Sequence, residues 1–304
     1  GIARPNYFSW KLKSDETCVL QNAYRIEIPG LWDSGVVESR NQAFVAYMGD
    51  EPESMKTYNF RVTVWDNRGN EASAESSFEI ANVRWKAKWA ACAFSREPGF
   101  SGHSGPSYPE VLFRKDFLLK NKAVRARLYM TAIGTYRVCV NGRRPDQREL
   151  APEFTTYDKI LYYQTYDVTD LLAPGLNRLE VEVADGWYFN AQACPVLGDT
   201  QPEPTVLFQI EIGYADGTKD TVCSNGSEKT GLSPVLYSDL FEGERQDLRR
   251  ECSFDTPAVT AACGFEALIP QPTDPIVPAR LLPAKEVLRT PSGETVVDFG
   301  QVIS

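Results

Sequence analysis

Apolar and polar positions alternate along most of this chain with a period of two, and the three-to-four spacing of an amphipathic helix is nearly absent. Tyr58-Asn59-Phe60-Arg61-Val62-Thr63-Val64-Trp65 places Tyr58, Phe60, Val62 and Val64 on one face, as a half-buried strand requires. It stops at Asp66-Asn67-Arg68-Gly69-Asn70, a hairpin turn signal, and Ser76-Ser77-Phe78-Glu79-Ile80 returns. Tyr24-Arg25-Ile26-Glu27-Ile28 alternates as well and ends at Pro29-Gly30, and Phe44-Val45-Ala46-Tyr47 is a further run. Roughly six or seven short strands in a stretch of this length predict an immunoglobulin or fibronectin-type β-sandwich over residues 1–82.

The pattern continues over residues 83–265. Val111 to Phe117, Val124 to Ala132, Tyr136 to Val140, Arg178 to Val183 and Val206 to Ile212 all read as strands. In Tyr136-Arg137-Val138-Cys139-Val140, Cys139 reads as a core-facing residue. Asp167-Val168-Thr169-Asp170-Leu171-Leu172 is the one helix-like piece, with Asp167 or Thr169 as its cap and Pro174-Gly175 as its stop. Evenly spaced strands over this length predict a jelly roll, two packed antiparallel sheets. Residues 266–304 differ. Pro270, Pro272, Pro275, Pro278 and Pro283 read as an extended linker, and Thr295-Val296-Val297-Asp298-Phe299-Gly300-Gln301 as an unpartnered strand that opens a further β domain. The class is therefore all-β, and the chain reads as part of something longer.

Composition narrows the function. Hydrophobic residues make up 42% of the 304, enough for packed cores, and aromatic residues 12%, which suits pleated surfaces and sugar contacts. The net charge of −9 argues against nucleic acid, whose phosphates need a basic face. No basic run offers an anionic membrane a foothold, and no stretch approaches the roughly 18 apolar residues that cross a bilayer. Gly1 without a signal peptide reads as a cloning remnant or a processed end, so the compartment (periplasmic, secreted or cytoplasmic) stays open. The seven Cys are widely spaced without a Cys-x-x-Cys pair. Free thiols are the simplest reading, one disulfide stays open, and a zinc site is not indicated.

Several segments, in order, resemble bacterial α-L-rhamnosidases of the inverting, multidomain type. Pro5-Asn6-Tyr7-Phe8-Ser9-Trp10, Gln21-Asn22-Ala23-Tyr24-Arg25-Ile26, Leu31-Trp32-Asp33-Ser34-Gly35 and Val64-Trp65-Asp66 resemble that family's N-terminal sandwich. Gly134-Thr135-Tyr136-Arg137-Val138-Cys139-Val140-Asn141-Gly142, Leu150-Ala151-Pro152-Glu153-Phe154 and Asp185-Gly186-Trp187-Tyr188 resemble its second domain, and Asp298-Phe299-Gly300-Gln301 the opening of the next. The resemblance implies that the second domain is similar to a calcium-dependent, rhamnose-binding jelly roll. It also implies that hydrolysis, with inversion, belongs to a later α/α barrel carrying a pair of acidic residues. Nothing in this chain reads as that barrel, so no catalytic residue is assigned and the chain itself is expected to be inactive.

Candidate chemistry sits in the loops. Asp185, Trp187, Tyr188 and Asn190 follow a strand end and can stack on a sugar face and bond its hydroxyls. The competing reading is that Trp187 and Tyr188 plug the core while Asp185-Gly186 makes a turn. Asn141-Gly142 is first a type I′ turn and second a sugar contact. Calcium takes six to eight oxygens, for which Asp158, Asp185, Asn190, Asp239, Glu242, Glu244 and Asp247 are the candidates by composition. Their competing reading is a solvated, ion-paired turn. His103, the single histidine, lies in a Gly-rich loop, and Asn225-Gly226-Ser227 reads as a turn. Three functions follow. The chain is an accessory portion of a rhamnosidase that binds rhamnose-containing glycans, a structural module that packs on the enzyme's own catalytic domain, or a self-sufficient glycosidase built on two carboxylates.

Overall fold

The computed structural model describes residues 1–81, 83–102, 105–157, 159–189, 203–263 and 267–301. Gln21–Ile28 and Thr57–Asp66 pair antiparallel, with Glu71–Glu79 on one side and Trp32–Asp33 and Val37–Glu38 on the other. Tyr7–Phe8 and Val45–Ala46 form a separate ladder. Alternation drives Tyr24, Ile26 and Ile28 inward against Phe8, Val45, Tyr58, Val62 and Ile80. The turn after Thr57–Asp66 closes because the Asp66 carboxylate accepts the amides of Arg68 and Asn70, and Gly69 takes φ +82°.

The next sandwich has two sheets. The smaller runs Thr135–Val140, Gly175–Ala184, Val111–Leu119, Lys229–Leu232, Thr256–Pro257. The larger runs Val259–Thr260, Ala90–Ala91, Thr205–Tyr214, Ala123–Ile133, Ile160–Asp167, Ala267–Pro270, with Lys219–Cys223 also on Thr205–Tyr214. Ala126, Leu128, Met130 and Ala132 meet Val111, Phe113, Val138, Val181 and Val183 in the core between them. Each large aliphatic or aromatic side chain buried there stabilises by about 1.5–3 kcal/mol.

Residues 128–133 of Ala123–Ile133 are buried on both faces, and the N-terminal unit covers Tyr129 on the outer side. Tyr129 and Tyr163 pack with Ala81, and the Tyr163 hydroxyl donates to the Ala81 carbonyl at 2.7 Å. Glu79 accepts from Arg125 Nη2 at 2.8 Å and from Arg127 Nε at 2.9 Å.

Several expectations need correction. Cys139 is half-buried on the outer face, because Tyr136, Val138 and Val140 take the core positions of its strand. The Pro-rich stretch is not all linker. Ala267–Pro270 adds a parallel strand beside Ile160–Asp167, and the buried Gln271 donates to Glu153. Thr295–Asp298 has a partner, Glu286–Arg289. The helix-like piece is one 3-10 turn, Thr169–Leu171, whose Thr169 amide and hydroxyl donate to Asp167. Cys18, Cys92, Cys139, Cys223, Cys252 and Cys263 are free thiols, and Cys194 and His103 lie outside the described residues.

Candidate functional site

The outer face of the smaller sheet is charged in a regular way. Leu112, Arg114 and Asp116 alternate outward from Val111–Leu119, Arg178, Glu180 and Glu182 from Gly175–Ala184, and Arg137 and Cys139 from Thr135–Val140. The register sets Arg114 opposite Glu180, Asp116 opposite Arg178, and Arg137 opposite Glu182. Opposite charges facing across a ladder support the pairing. Arg114 donates to Glu180 at 2.7 Å and Arg178 to Asp116 at 2.7 Å, while Arg137 lies 3.9 Å from Glu182 and 3.4 Å from Glu149.

A roof turns this face into a cleft of about 620 Å³. The hairpin Val235–Asp239 with Gly243–Gln246 contributes Glu244 and Gln246, and Phe254 closes another side. The Arg114 guanidinium lies 3.5 Å from the Phe254 ring centre, which fixes the arginine between an aromatic face and a carboxylate. Glu110 stands at the margin. Its amide donates to the Val235 carbonyl, its carbonyl accepts from the Ser233 amide, and its carboxyl accepts from the Ser233 hydroxyl at 2.8 Å. Burial pushes the Glu110 carboxyl up to about 7, with the Ser233 bond opposing and Glu182 and Glu244 adding to the rise. Near neutral pH this group therefore both donates and accepts. The cleft gathers fixed donors, acceptors and apolar surface, the equipment for a neutral polyol.

Residues 121–276, a little over half of the chain, match the family model described as the alpha-L-rhamnosidase N-terminal domain. The chain belongs to the α-L-rhamnosidase N-terminal domain family. Residues 2–84 match a second model, the Rha78A-like, N-terminal immunoglobulin domain. Among curated proteins, the chain is similar to an α-L-rhamnosidase of Formosa agariphila, 32% identical over 267 residues, covering 82% of this chain and 29% of that protein. An α-L-rhamnosidase of Streptomyces avermitilis is 39% identical over 202 residues, covering 62% of this chain and 19% of that protein. The chain thus spans less than a third of either relative. Among solved structures, the α-L-rhamnosidase from Dictyoglumus thermophilum superposes with a TM-score of 0.84 at 28% identity, over 99% of this chain and 37% of that one. That from Aspergillus terreus gives 0.83 at 25%, over 99% and 37%.

The rhamnosidase-type loop after Gly175–Ala184 is placed differently from the sugar-contacting expectation. Asp185 is buried, and its carboxylate accepts from Arg96 Nη1 at 2.8 Å, the Tyr108 amide at 2.8 Å and the Ser107 hydroxyl at 3.5 Å. Burial raises the Asp185 carboxyl and Arg96 opposes the rise. Both its oxygens are engaged by interior donors. Gly186, at φ +56°, lies against Thr135 so closely that a Cβ would collide with it. Tyr188 is buried with its ring 5.0 Å from Tyr157 and 5.2 Å from Phe189, and Trp187 is half-buried against the same cluster. That placement matches the core-plug reading. Asn141 takes φ +51° at the head of its turn, and its amide bonds the Leu171 carbonyl, Asn177 and the Arg178 amide, which makes it a brace.

Among the described residues the calcium candidates stand apart, each with its own partners. Glu244 lines the cleft and accepts from Ser238 and Gln246, Glu242 lies against Gly102, and Asp247 is engaged by Arg249. Asp239 caps the hairpin loop by accepting the amides of Phe241 and Glu242. Asp158 and Asn190 lie outside the described residues. Among the described residues no three His, Cys, Asp or Glu are grouped to hold a metal. Sequence reasoning missed the cleft itself. Its signal was the identity of the outward positions, charged residues of both signs on three strands that pair.

Proposed function

We propose that this chain is a non-catalytic accessory portion of an α-L-rhamnosidase and that the cleft over its smaller sheet binds rhamnose-containing glycan. The observation that carries this reading is the Arg114, Glu180, Arg137 and Glu182 array under the hairpin roof. Adjacent sugar hydroxyls each need a donor and an acceptor, and the array offers guanidinium and carboxylate groups at strand spacing. Leu112 and Phe254 supply apolar surface for the methyl and C–H faces of a deoxy sugar. Hydrolysis of terminal α-L-rhamnose belongs, in this reading, to the rest of a longer protein, which accords with the small share of its relatives that the chain spans.

Calorimetric titration with L-rhamnose tests it. The expected Kd is on the order of millimolar, and Arg114→Ala weakens binding about tenfold. A flat trace for the unaltered protein at tens of millimolar sugar, with or without calcium, would leave the cleft structural.

A second reading, packing against the enzyme's own catalytic domain, is favoured by the last hairpin. Val287, Val296, Val297 and Phe299 are exposed there, and a two-stranded ladder alone is marginal in water.

A further inference from the structure

The roof of the cleft is held down at its foot, and the foot is built around one carboxyl. The hairpin Val235–Asp239 with Gly243–Gln246 is a two-stranded ribbon, too small to keep its place alone. Its second strand is exposed at every position. Four hydrogen bonds gather where the hairpin leaves the sheet. The Ser233 amide donates to the Glu110 carbonyl at 3.1 Å, and the Glu110 amide to the Val235 carbonyl at 3.3 Å. The Ser233 hydroxyl donates to the Glu110 carboxyl at 2.8 Å and accepts from the Val235 amide at 2.9 Å. Beyond the foot, Tyr237 stacks on Phe100 with ring centres 4.9 Å apart. An element with so few buried contacts opens locally at low cost.

The closed roof also crowds negative charge. Glu182 reaches the cleft from Gly175–Ala184 and Glu244 from the hairpin, and Glu110 is a third carboxyl among them. The cations nearby are committed elsewhere. Arg137, on Thr135–Val140, is divided between Glu149 and Glu182, and Arg114 is clasped by Glu180 and Phe254. Cys252, from the segment after the hairpin, completes the surroundings. Burial keeps its thiol above the ordinary range, so it brings no charge near neutral pH. Among the described residues Glu110 forms no ion pair of its own. A proton removes the third charge and leaves the Ser233 bond in place, because a neutral carboxyl still accepts.

We propose that a proton on Glu110 gates the cleft: the neutral carboxyl keeps the hairpin down over the charged face, and its ionisation releases the hairpin into solvent. The gate stands on this foot, whereas its consequence for sugar rests on the proposed function above. The direction follows from where the carboxyl titrates. With the roof closed it is raised from 4.5 to about 7, by burial first, against the Ser233 bond, with Glu182 and Glu244 adding to the rise. Once solvent reaches it, it returns toward its ordinary value. Support for closure is therefore fully present below pH 4.5 and is lost as pH rises through 7. Across that range the opening constant of the roof rises by at most about 300-fold.

Hydrogen exchange of the whole chain without sugar, followed by mass spectrometry between about pH 5 and about pH 8, tests the gate. Comparison with Glu110→Gln at each pH cancels the intrinsic rise of amide exchange with pH. The hairpin is expected to exchange alike in both proteins at about pH 5 and at least about tenfold faster in the parent at about pH 8. Thr205–Tyr214, in the core, should exchange alike throughout. A ratio that stays flat with pH overturns the gate. Glu244→Gln keeps Glu110 and removes one of its negative neighbours, so the parent's rise should shrink severalfold; a rise that it leaves unchanged also overturns the gate. Calorimetry with L-rhamnose at the two pH values separates the gate from the sugar. Binding about tenfold weaker at the higher pH in the parent, with that loss absent in Glu110→Gln, supports both. A pH-dependent hairpin without binding at either pH keeps the gate and overturns the sugar-binding cleft. Equal binding at both, with a flat exchange ratio, keeps the cleft and overturns the gate.

Discussion

Arg96 and Asp185 are each only 3% exposed along their side chains and hold each other at 2.8 Å. Arg96 also reaches the Pro109 carbonyl and Glu203, and its guanidinium faces the Tyr108 ring at 4.8 Å. Removing the aspartate takes from the buried Arg96 the more buried of its two carboxylate partners and leaves Glu203 as the other. Asp185→Ala is expected to cost about 2–3 kcal/mol, read as the urea midpoint at unchanged slope. A midpoint within experimental error of the parent would mean that Arg96 relaxes to solvent. Glu110 gives the opposite kind of residue effect. Its carboxyl ordinarily titrates near 4.5 and is raised to about 7 in the fold. Its contribution to stability is therefore fully present below pH 4.5 and is lost as pH rises through 7, by no more than about 3 kcal/mol. Glu110→Gln should flatten that decline in a pH series of melting temperatures, and an unaltered slope would remove Glu110 as its source. At this scale the sequence is least informative. Asp185-Gly186 reads correctly as a turn, but Arg96 lies 89 positions away and Ser233 lies 123 from Glu110. Nothing local announces either partner.

Strands are more legible, because a period of two is a local property that burial then enforces. Tyr58, Phe60, Val62 and Val64 share the core side of Thr57–Asp66 as their spacing predicts. The same rule, applied strictly, places Cys139 with Arg137 and away from Val138 and Val140, so the core expectation for it set residue type above register. The proline-rich stretch misleads for a different reason. Pro270 closes a short strand at the margin of the larger sheet, where a missing amide is tolerated, so proline there does not exclude pairing. The charge array of the smaller sheet lies between these cases. Each outward position is readable strand by strand, but that Arg114 meets Glu180 depends on which strands become neighbours.

For the whole molecule, the order of the units is readable along the chain, whereas the way they sit together is not. Glu79 closes the first unit and is the acceptor for both Arg125 and Arg127 on the outer face of the larger sheet. Beside it, Tyr129 and Tyr163 bury Ala81, and Trp85 meets the Tyr163 ring at 5.4 Å. Ion pairs that are partly shielded, over an apolar contact, join two bodies more firmly than the polar interfaces usual between domains of one chain. If this joint couples the units, the chain unfolds in a single calorimetric transition. Glu79→Ala leaves two arginines facing each other without their shared acceptor, so the coupling weakens. The expected trace then splits, with the N-terminal unit melting first and the larger sandwich, whose core is more extensive, keeping its transition. Tyr163→Phe, which removes only the bond to the Ala81 carbonyl, should lower the transition temperature without splitting the peak. A single peak for Glu79→Ala, displaced no further than that of Tyr163→Phe, would assign the joint to the apolar contact and take the ion pairs out of the account.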